Sequence, residues 1–227
     1  MVTIYTWYGH ATHGLKVGEH KLLIDPFFTG NPVASAAAND VDADYILITH
    51  GHNDHIGDTE SIAKRTGALC ISNSEISDWL ENKGLETHAQ HIGGGFEHPF
   101  GYLKLTKAIH GSALPDGSNG GNPVGFLITT PDNKKIYFAG DTGLFGDMEL
   151  IGDEGIDLAI LPIGDNYTMG PDDALIAVKL LRPKQVVPTH YSTWELIEQD
   201  PHAWKEQVEA ETESKVIVLK PGESLSL

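Results

Sequence analysis

Tyr45-Ile46-Leu47-Ile48-Thr49-His50-Gly51-His52-Asn53-Asp54-His55 is an apolar run that ends in three imidazoles and a carboxylate within six residues. Imidazole nitrogens and carboxylate oxygens are the donors that borderline first-row metals such as zinc accept. Without a metal, so many of these groups in one turn would repel, titrate and pack badly. With 12 histidines in 227 residues, chance would produce the full pattern in well under about one in a hundred such chains. The run therefore reads as the loop at the end of a buried strand, built to hold a cation. A histidine-rich surface loop is the plainer alternative.

Three more residues share this context farther along the chain. His110 follows Ala108-Ile109, Asp141 follows Phe138-Ala139-Gly140, and His190 follows Val187-Pro188-Thr189. Each stands where an apolar strand gives way to a small or turn residue. Strand ends on one edge of a layered sheet converge in space however far apart they lie in sequence. Taken singly each is an ordinary structural residue; taken with the first run they read as further ligands.

The surrounding pattern places these loops. Alternation predicts strands at about 2–8, 13–17 and 20–25, and a short buried strand at 44–49. A helix at 59–66, a strand at 68–72 and a helix at 74–83, capped by Ser72 or Asn73, follow. Strands are expected at 101–109, 124–130, 135–139, 158–161, 185–188 and 215–219, and helices at 171–181 and 201–212. Strands cluster early in each half and helices alternate later, without a linker. The expected architecture is α/β: two packed β-layers with helices outside, in a single domain over 1–227 made of two related halves. The segment 111–123 is almost all turn and breaker residues and begins beside His110, which reads as a mobile flap over the site.

Composition narrows the partners. Hydrophobic residues at 40% and aromatics at 8% fit a globular chain with a sizeable core. The net charge of −17 argues against nucleic acid, whose phosphates call for lysine and arginine, but leaves small anionic metabolites open. No stretch approaches the apolar length of a membrane span, and the start, Met1-Val2-Thr3-Ile4-Tyr5-Thr6-Trp7, lacks the marks of a signal peptide. Cys70 is the single cysteine. It reads as core, and a cytoplasmic location is expected. A homo-oligomer stays open.

With these ligands in view, the chain resembles the metallo-β-lactamase superfamily, with its His-x-His-x-Asp-His motif followed by His, Asp and His. Tyr8-Gly9-His10-Ala11, Leu23-Ile24-Asp25-Pro26 and the segment Pro162 to Pro171 are similar to the lactonase-like group around ascorbate-6-phosphate lactonase. The resemblance implies a four-layer αββα sandwich with a two-metal site at one edge. His50, His52 and His110 would hold one metal, Asp54, His55 and His190 the second, and Asp141 would bridge them. Zinc is the first expectation for both ions; manganese, nickel and iron accept the same donors. His52 replaces a glutamate of the diiron flavoprotein branch, which points away from oxygen or nitric oxide reduction.

The chemistry so implied is hydrolysis of an ester, lactone or phosphoester of a small metabolite by hydroxide formed between two cations, with Asp54 orienting the nucleophile and returning a proton. An RNA or nucleotide phosphodiesterase, an iron-dependent oxidoreductase and a non-catalytic metal-binding protein are the competing readings. His10 is expected to face the cleft or to support a ligand, and Asp25 to anchor the metal loop by accepting N–H bonds. Asp165, Asn166 and Thr168 are expected to line the pocket. His13, His20, His88, His91, His98 and His202 lack the strand-end pattern and read as surface or core residues.

Overall fold

Strand β1 (Thr3–Gly9) alternates buried and half-buried residues along its length, so every second side chain faces the core. This computed structural model describes residues 2–227; Met1 lies outside the described residues. After β1 come β2 (Thr12–Val17), β3 (His20–Ile24), β4 (Tyr45–Leu47), α1 (Asn53–Ile56), α2 (Thr59–Thr66), β5 (Leu69–Ser72), α3 (Ser74–Glu81), β6 (Thr87–Ala89) and β7 (Gly95–His98). The second half runs β8 (Gly101–Lys107), β9 (Val124–Thr129), β10 (Lys135–Phe138), α4 (Met148–Gly152), β11 (Leu158–Pro162), α5 (Pro171–Leu181), β12 (Gln185–Thr189), α6 (Pro201–Glu211), β13 (Lys215–Val216) and β14 (Ser224–Ser226).

These strands form two seven-stranded sheets, ordered β14-β1-β2-β3-β4-β5-β6 and β13-β12-β11-β10-β9-β8-β7. In each, the hairpin-joined strands pair antiparallel, and β4-β5-β6 and β10-β11-β12-β13, joined through helices, pair parallel. A large apolar cluster containing Trp7, Leu15, Phe126 and Phe138 joins inner faces of both sheets and runs on to Ala174, Val178 and Trp204 of α5 and α6. A second cluster packs α2 and α3, through Ile62, Ile76 and Leu80, on Ile46, Ile48 and Cys70. The result is the helix-flanked sandwich of two mixed sheets that the sequence predicts.

Local chemistry sets the helix ends. The Asn73 side chain accepts the Ile76 N–H at 2.9 Å and starts α3, and Asp200 accepts the His202 and Ala203 N–H groups ahead of Pro201 in α6. The α2 boundaries match the expected ones, with Gly67 in the left-handed region as its stop. Missing from the sequence reading are β6, β7 and β14, short and largely exposed edge strands without an alternation to detect. The expected strand at 215–219 keeps strand pairing only over Lys215–Val216. Cys70 is fully buried and burial pushes its thiol up to about 12, so it packs as core. No helix among the described residues is long and apolar enough to cross a membrane.

His13 is a core residue, with its Nδ1 2.9 Å from the Tyr5 hydroxyl. Burial, and then the neighbouring His55, His10 and His190, lower its pKa from 6.5 to about 3. The unfolded chain binds this proton below pH 6.5 and the folded chain does not until about pH 3, so stability falls as the pH drops through that window. Between pH 7 and 5 the contribution is about 2 kcal/mol. Urea denaturation at both pH values should show a pH dependence smaller by about that amount in His13→Gln than in the parent. Equal pH dependence in the two proteins contradicts the assignment.

Candidate metal centre

The carboxyl ends of β3, β4, β10 and β12 open onto one rim, and the ligand loops begin there. That edge of a parallel sheet is where α/β folds place their sites. Asp25 follows β3, His50 follows β4, Asp141 follows β10 and His190 follows β12. The two sheets are tied together at this rim by Val124 N–H donating to the Thr49 carbonyl at 2.9 Å. The His10 carbonyl accepts from His190 N–H at 3.1 Å, Thr189 Oγ1 at 2.5 Å and Trp7 Nε1 at 2.9 Å. His10, Asp25, Asp165, Asn166, His190 and Ser192 all hold positive φ, six of the eight such non-glycine residues described. Backbone in this region is costly for a side-chain-bearing residue and clusters at functional sites.

The single turn α1 turns the motif into a cluster. His55 and Ile56 N–H both donate to the His52 carbonyl, at 3.0 and 2.9 Å, and buried Ile56 pins the turn to the smaller core. Gly51 sits at a close approach: a Cβ there would lie 3.1 Å from the Ala113 carbonyl oxygen and 3.2 Å from Leu114 Cδ2, so a side chain would press the facing loop outward by a few tenths of an ångström.

The structure brings all seven proposed ligands together. One donor atom from each of His50, His52 and His110 lies within 4.8 Å of the others, and the same holds for His10, Asp54, His55 and His190. Asp141 stands between the groups, its Oδ2 3.5 Å from His110 Nε2, 3.3 Å from His55 Nε2 and 3.1 Å from His190 Nε2. His50 Nε2 and His52 Nδ1 face each other at 3.0 Å. His55 Nε2, Asp141 Oδ1 and both ring nitrogens of His190 are buried without a hydrogen bond of acceptable geometry. Buried polar atoms are almost always partnered, and a carboxylate aimed at several imidazole nitrogens calls for a positive charge between them. A divalent cation supplies it, so the residues fit the group.

A third cluster, Asp25 with His50 and His55, has another role because its partners are already taken. Asp25 Oδ1 accepts the Thr49 N–H at 2.8 Å; Oδ2 accepts the Thr49 hydroxyl at 2.6 Å and the His55 Nδ1–H at 2.8 Å. The Thr49 hydroxyl, having given its proton to Asp25, accepts from His50 Nδ1 at 3.0 Å. Through this chain one carboxylate fixes the tautomers of both rings and leaves their Nε2 lone pairs facing the cluster. Asp25 thus accepts a backbone N–H and a histidine N–H, the contacts on which its proposed anchoring role rests.

The electrostatics agree. Burial, reinforced by neighbouring rings, holds His50 well below the usual imidazole value and lowers His110, leaving neutral donors. Burial would raise Asp141, but His190 and His55 outweigh it and keep it an ionised carboxylate; His10 and His55 do the same for Asp54. Burial would lower His55, yet Asp141 and Asp25 on either side raise it well above 6.5, the signature of a position that favours positive charge.

His10 is fully buried. Thr193 Oγ1 lies 2.8 Å from its Nδ1 and Asp54 Oδ2 3.1 Å from its Nε2, and its ring lies 4.1 Å from that of His190. Burial and then His190 lower its pKa to about 4, so a neutral ring accepts the Thr193 proton and donates to Asp54.

A cleft of about 380 Å³ opens over the cluster, lined by His52, Asp54, His110, Asp141, Tyr167, His190 and Trp194. Asp165, Asn166 and Thr168 do not line it. Asp165 Oδ1 accepts the Asn166 N–H at 2.8 Å and the Thr168 hydroxyl donates to the Met169 carbonyl at 3.3 Å, a local turn that carries Tyr167 onto the wall instead. Trp194, Tyr167 and Thr193 escaped the sequence reading; the signal available was position, since Thr193 and Trp194 come three and four residues after His190 and Tyr167 sits in the quoted Pro162–Pro171 segment.

Segment 111–123 differs from the expected free flap. Ser112 Oγ donates to the Gly120 carbonyl at 3.0 Å and accepts the Gly51 N–H at 3.1 Å, while Asn73 Nδ2 donates to the carbonyls of Gly120 and Asn122. Leu114 is buried in the smaller core. These ties brace the histidine loop, and they are the opposite of the sparse contacts of a mobile segment.

Comparison with known proteins agrees with this geometry. Residues 20–191 match the model of the β-lactamase superfamily domain. The chain is 52% identical over 227 residues to a UPF0173 metal-dependent hydrolase of Pelotomaculum thermopropionicum, covering 98% of this chain and 99% of that one. It is 51% identical over 209 residues to the UPF0173 metal-dependent hydrolase YtkL of Bacillus subtilis, covering 89% and 92%. Among solved structures it is similar to Igni18, a metallo hydrolase from Ignicoccus hospitalis, at 38% identity and a TM-score of 0.92 over 100% of this chain and 99% of that one. A strand-end histidine cluster on this sandwich and half-identical relatives along nearly the whole chain lead to one conclusion: the chain belongs to the UPF0173 metal-dependent hydrolases of the β-lactamase superfamily.

Proposed function

We propose that this hydrolase cleaves an ester, lactone or phosphoester bond of a small metabolite using two divalent metal ions, zinc first among the candidates, within a single domain over 1–227. His50, His52 and His110 would hold one ion, Asp54, His55 and His190 the other, and Asp141 would bridge. The observation that carries this reading is the position of Asp141 Oδ2, within 3.5 Å of one imidazole of the first triad and two of the second set. Bound divalent cations supply Lewis acidity, polarising a carbonyl or phosphoryl oxygen and lowering the pKa of water toward neutrality.

The chain's own residues do the rest. Asp54 is ionised, borders the cleft, and is held by His10 Nε2–H at 3.1 Å. That hydrogen bond fixes one oxygen, so Asp54 can orient a water, take its proton and pass it to the leaving oxygen. Thr193 and the His10 carbonyl contacts keep the ring in place. Chelation followed by readdition of zinc, manganese or iron, with a panel of lactones, carboxylic esters and phosphodiesters, tests the reading. Loss and recovery of hydrolysis with zinc is expected; metal-loaded protein inactive across the panel contradicts it.

A further inference from the structure

Two aromatic rings border the cleft beside the proposed ligands: Tyr167 at 51% exposure and Trp194 at 40%. Large rings left this open to water beside a polar cluster need an occupant or a reason. Neither belongs to a slack loop. Trp194 packs edge-on against His10 at 4.8 Å and tilts over Phe27 at 6.4 Å. Its loop is closed by the Ser192 N–H donating to the Ile197 carbonyl at 2.6 Å, by the Ser192 hydroxyl donating to the Gln199 carbonyl at 3.1 Å, and by Gln199 Nε2 donating to the Gly164 carbonyl at 3.3 Å. Tyr167 sits at the tip of a turn whose residues Asp165 and Asn166 both hold positive φ, and Met169 N–H ties that turn to the Thr142 carbonyl at 3.0 Å. The Trp194 ring and the backbone that carries Tyr167 are thus held in place before any ligand arrives, which lowers the entropic cost of binding.

The cleft's volume of about 380 Å³ lies toward the small end of small-molecule sites, which span ~300–1,000 Å³.

We infer that Tyr167 and Trp194 form a specificity subsite for an aryl or bulky apolar group on the substrate. This rests on the metal-hydrolase reading for the bond cleaved, and on the two rings for the group bound. The aryl group lies against the aromatic wall, where ring–ring contact adds to apolar burial, while the polar end reaches the ligand cluster.

Binding separates the two parts. Calorimetry on zinc-loaded protein compares benzohydroxamate with acetohydroxamate, two chelators that differ in phenyl against methyl. The parent should prefer benzohydroxamate by about tenfold or more. Trp194→Ala and Tyr167→Ala should each shrink that ratio severalfold and together bring it to within about twofold, and Trp194→Phe should restore most of it. A parent ratio near one, a ratio that survives in the double variant, or no binding of either probe overturns the subsite. In parallel, kcat/KM for γ-phenyl-γ-butyrolactone should exceed that for γ-valerolactone in the parent, and the preference should shrink in the double variant; an undiminished preference there overturns the subsite. Absence of hydrolysis with an intact, Trp194-dependent binding ratio would instead overturn the hydrolytic reading and leave the aromatic subsite standing.

Discussion

Asp141→Ala should abolish hydrolysis, lowering kcat/KM by more than about a thousandfold, and should cost the protein at least one of its bound metals while the sandwich stays folded. The argument is geometric. Asp141 is buried, and its Oδ2 faces His55, His110 and His190 at 3.1 to 3.5 Å. Removing it takes away the one anionic donor shared by the two halves of the cluster and leaves neighbouring imidazoles without their counter-charge. Asp141→Asn keeps the shape and drops the charge, and should fall between the parent and the alanine variant in metal content. Asp54→Ala should match Asp141→Ala in lost hydrolysis. Turnover within tenfold of the parent in either alanine variant, measured at saturating zinc with elemental analysis alongside, contradicts the proposed roles.

The second large effect lies one step behind the ligands. Asp25→Ala should weaken metal binding about 10- to 100-fold and destabilise the fold by about 1–3 kcal/mol. Both effects follow from its hydrogen bonds. The Thr49 N–H, buried at the rim, loses its acceptor, and His50 and His55 lose the chain of contacts that fixes their tautomers. Asp25 also holds φ at 48°, a conformation aspartate tolerates better than alanine. Asp25→Asn can still accept from Thr49, so it should recover stability more than metal affinity. The checks are urea denaturation of the apoprotein and competitive zinc titration of both variants. Parent-like zinc affinity in Asp25→Ala would remove Asp25 from the centre.

How much of this could be read from residues alone depends on the kind of residue. The sandwich was legible because Tyr5 to Val17 and Val124 to Phe138 alternate or run apolar in lengths that strands require, and because Asn73 starts a helix by chemistry of its own. The ligand candidates were legible because His50, Asp141 and their companions are metal-donor types that cluster or stand at strand ends. Tyr167 and Trp194 were not, since an aromatic residue in a loop carries no mark of which cavity it borders. Asp165 and Thr168 misled for the complementary reason: polar groups beside a strand end look like binding residues until their hydrogen bonds are seen to close a turn. Segment 111–123 was read as free because glycine, serine and asparagine dominate it. Those same groups let the loop fold back on itself and brace Gly51. Composition reports conformational freedom in the unfolded chain and is silent on the tertiary partners that remove it.

The central claim is that the seven gathered side chains hold two ions that act together. It is tested most directly by titrating zinc into the chelated protein while following bound metal by elemental analysis and hydrolysis of the best lactone or ester. Two equivalents bound per chain, with full turnover reached only as the second is taken up, is the predicted result. Full turnover at one equivalent, or a chain that binds no zinc at these residues, would contradict it.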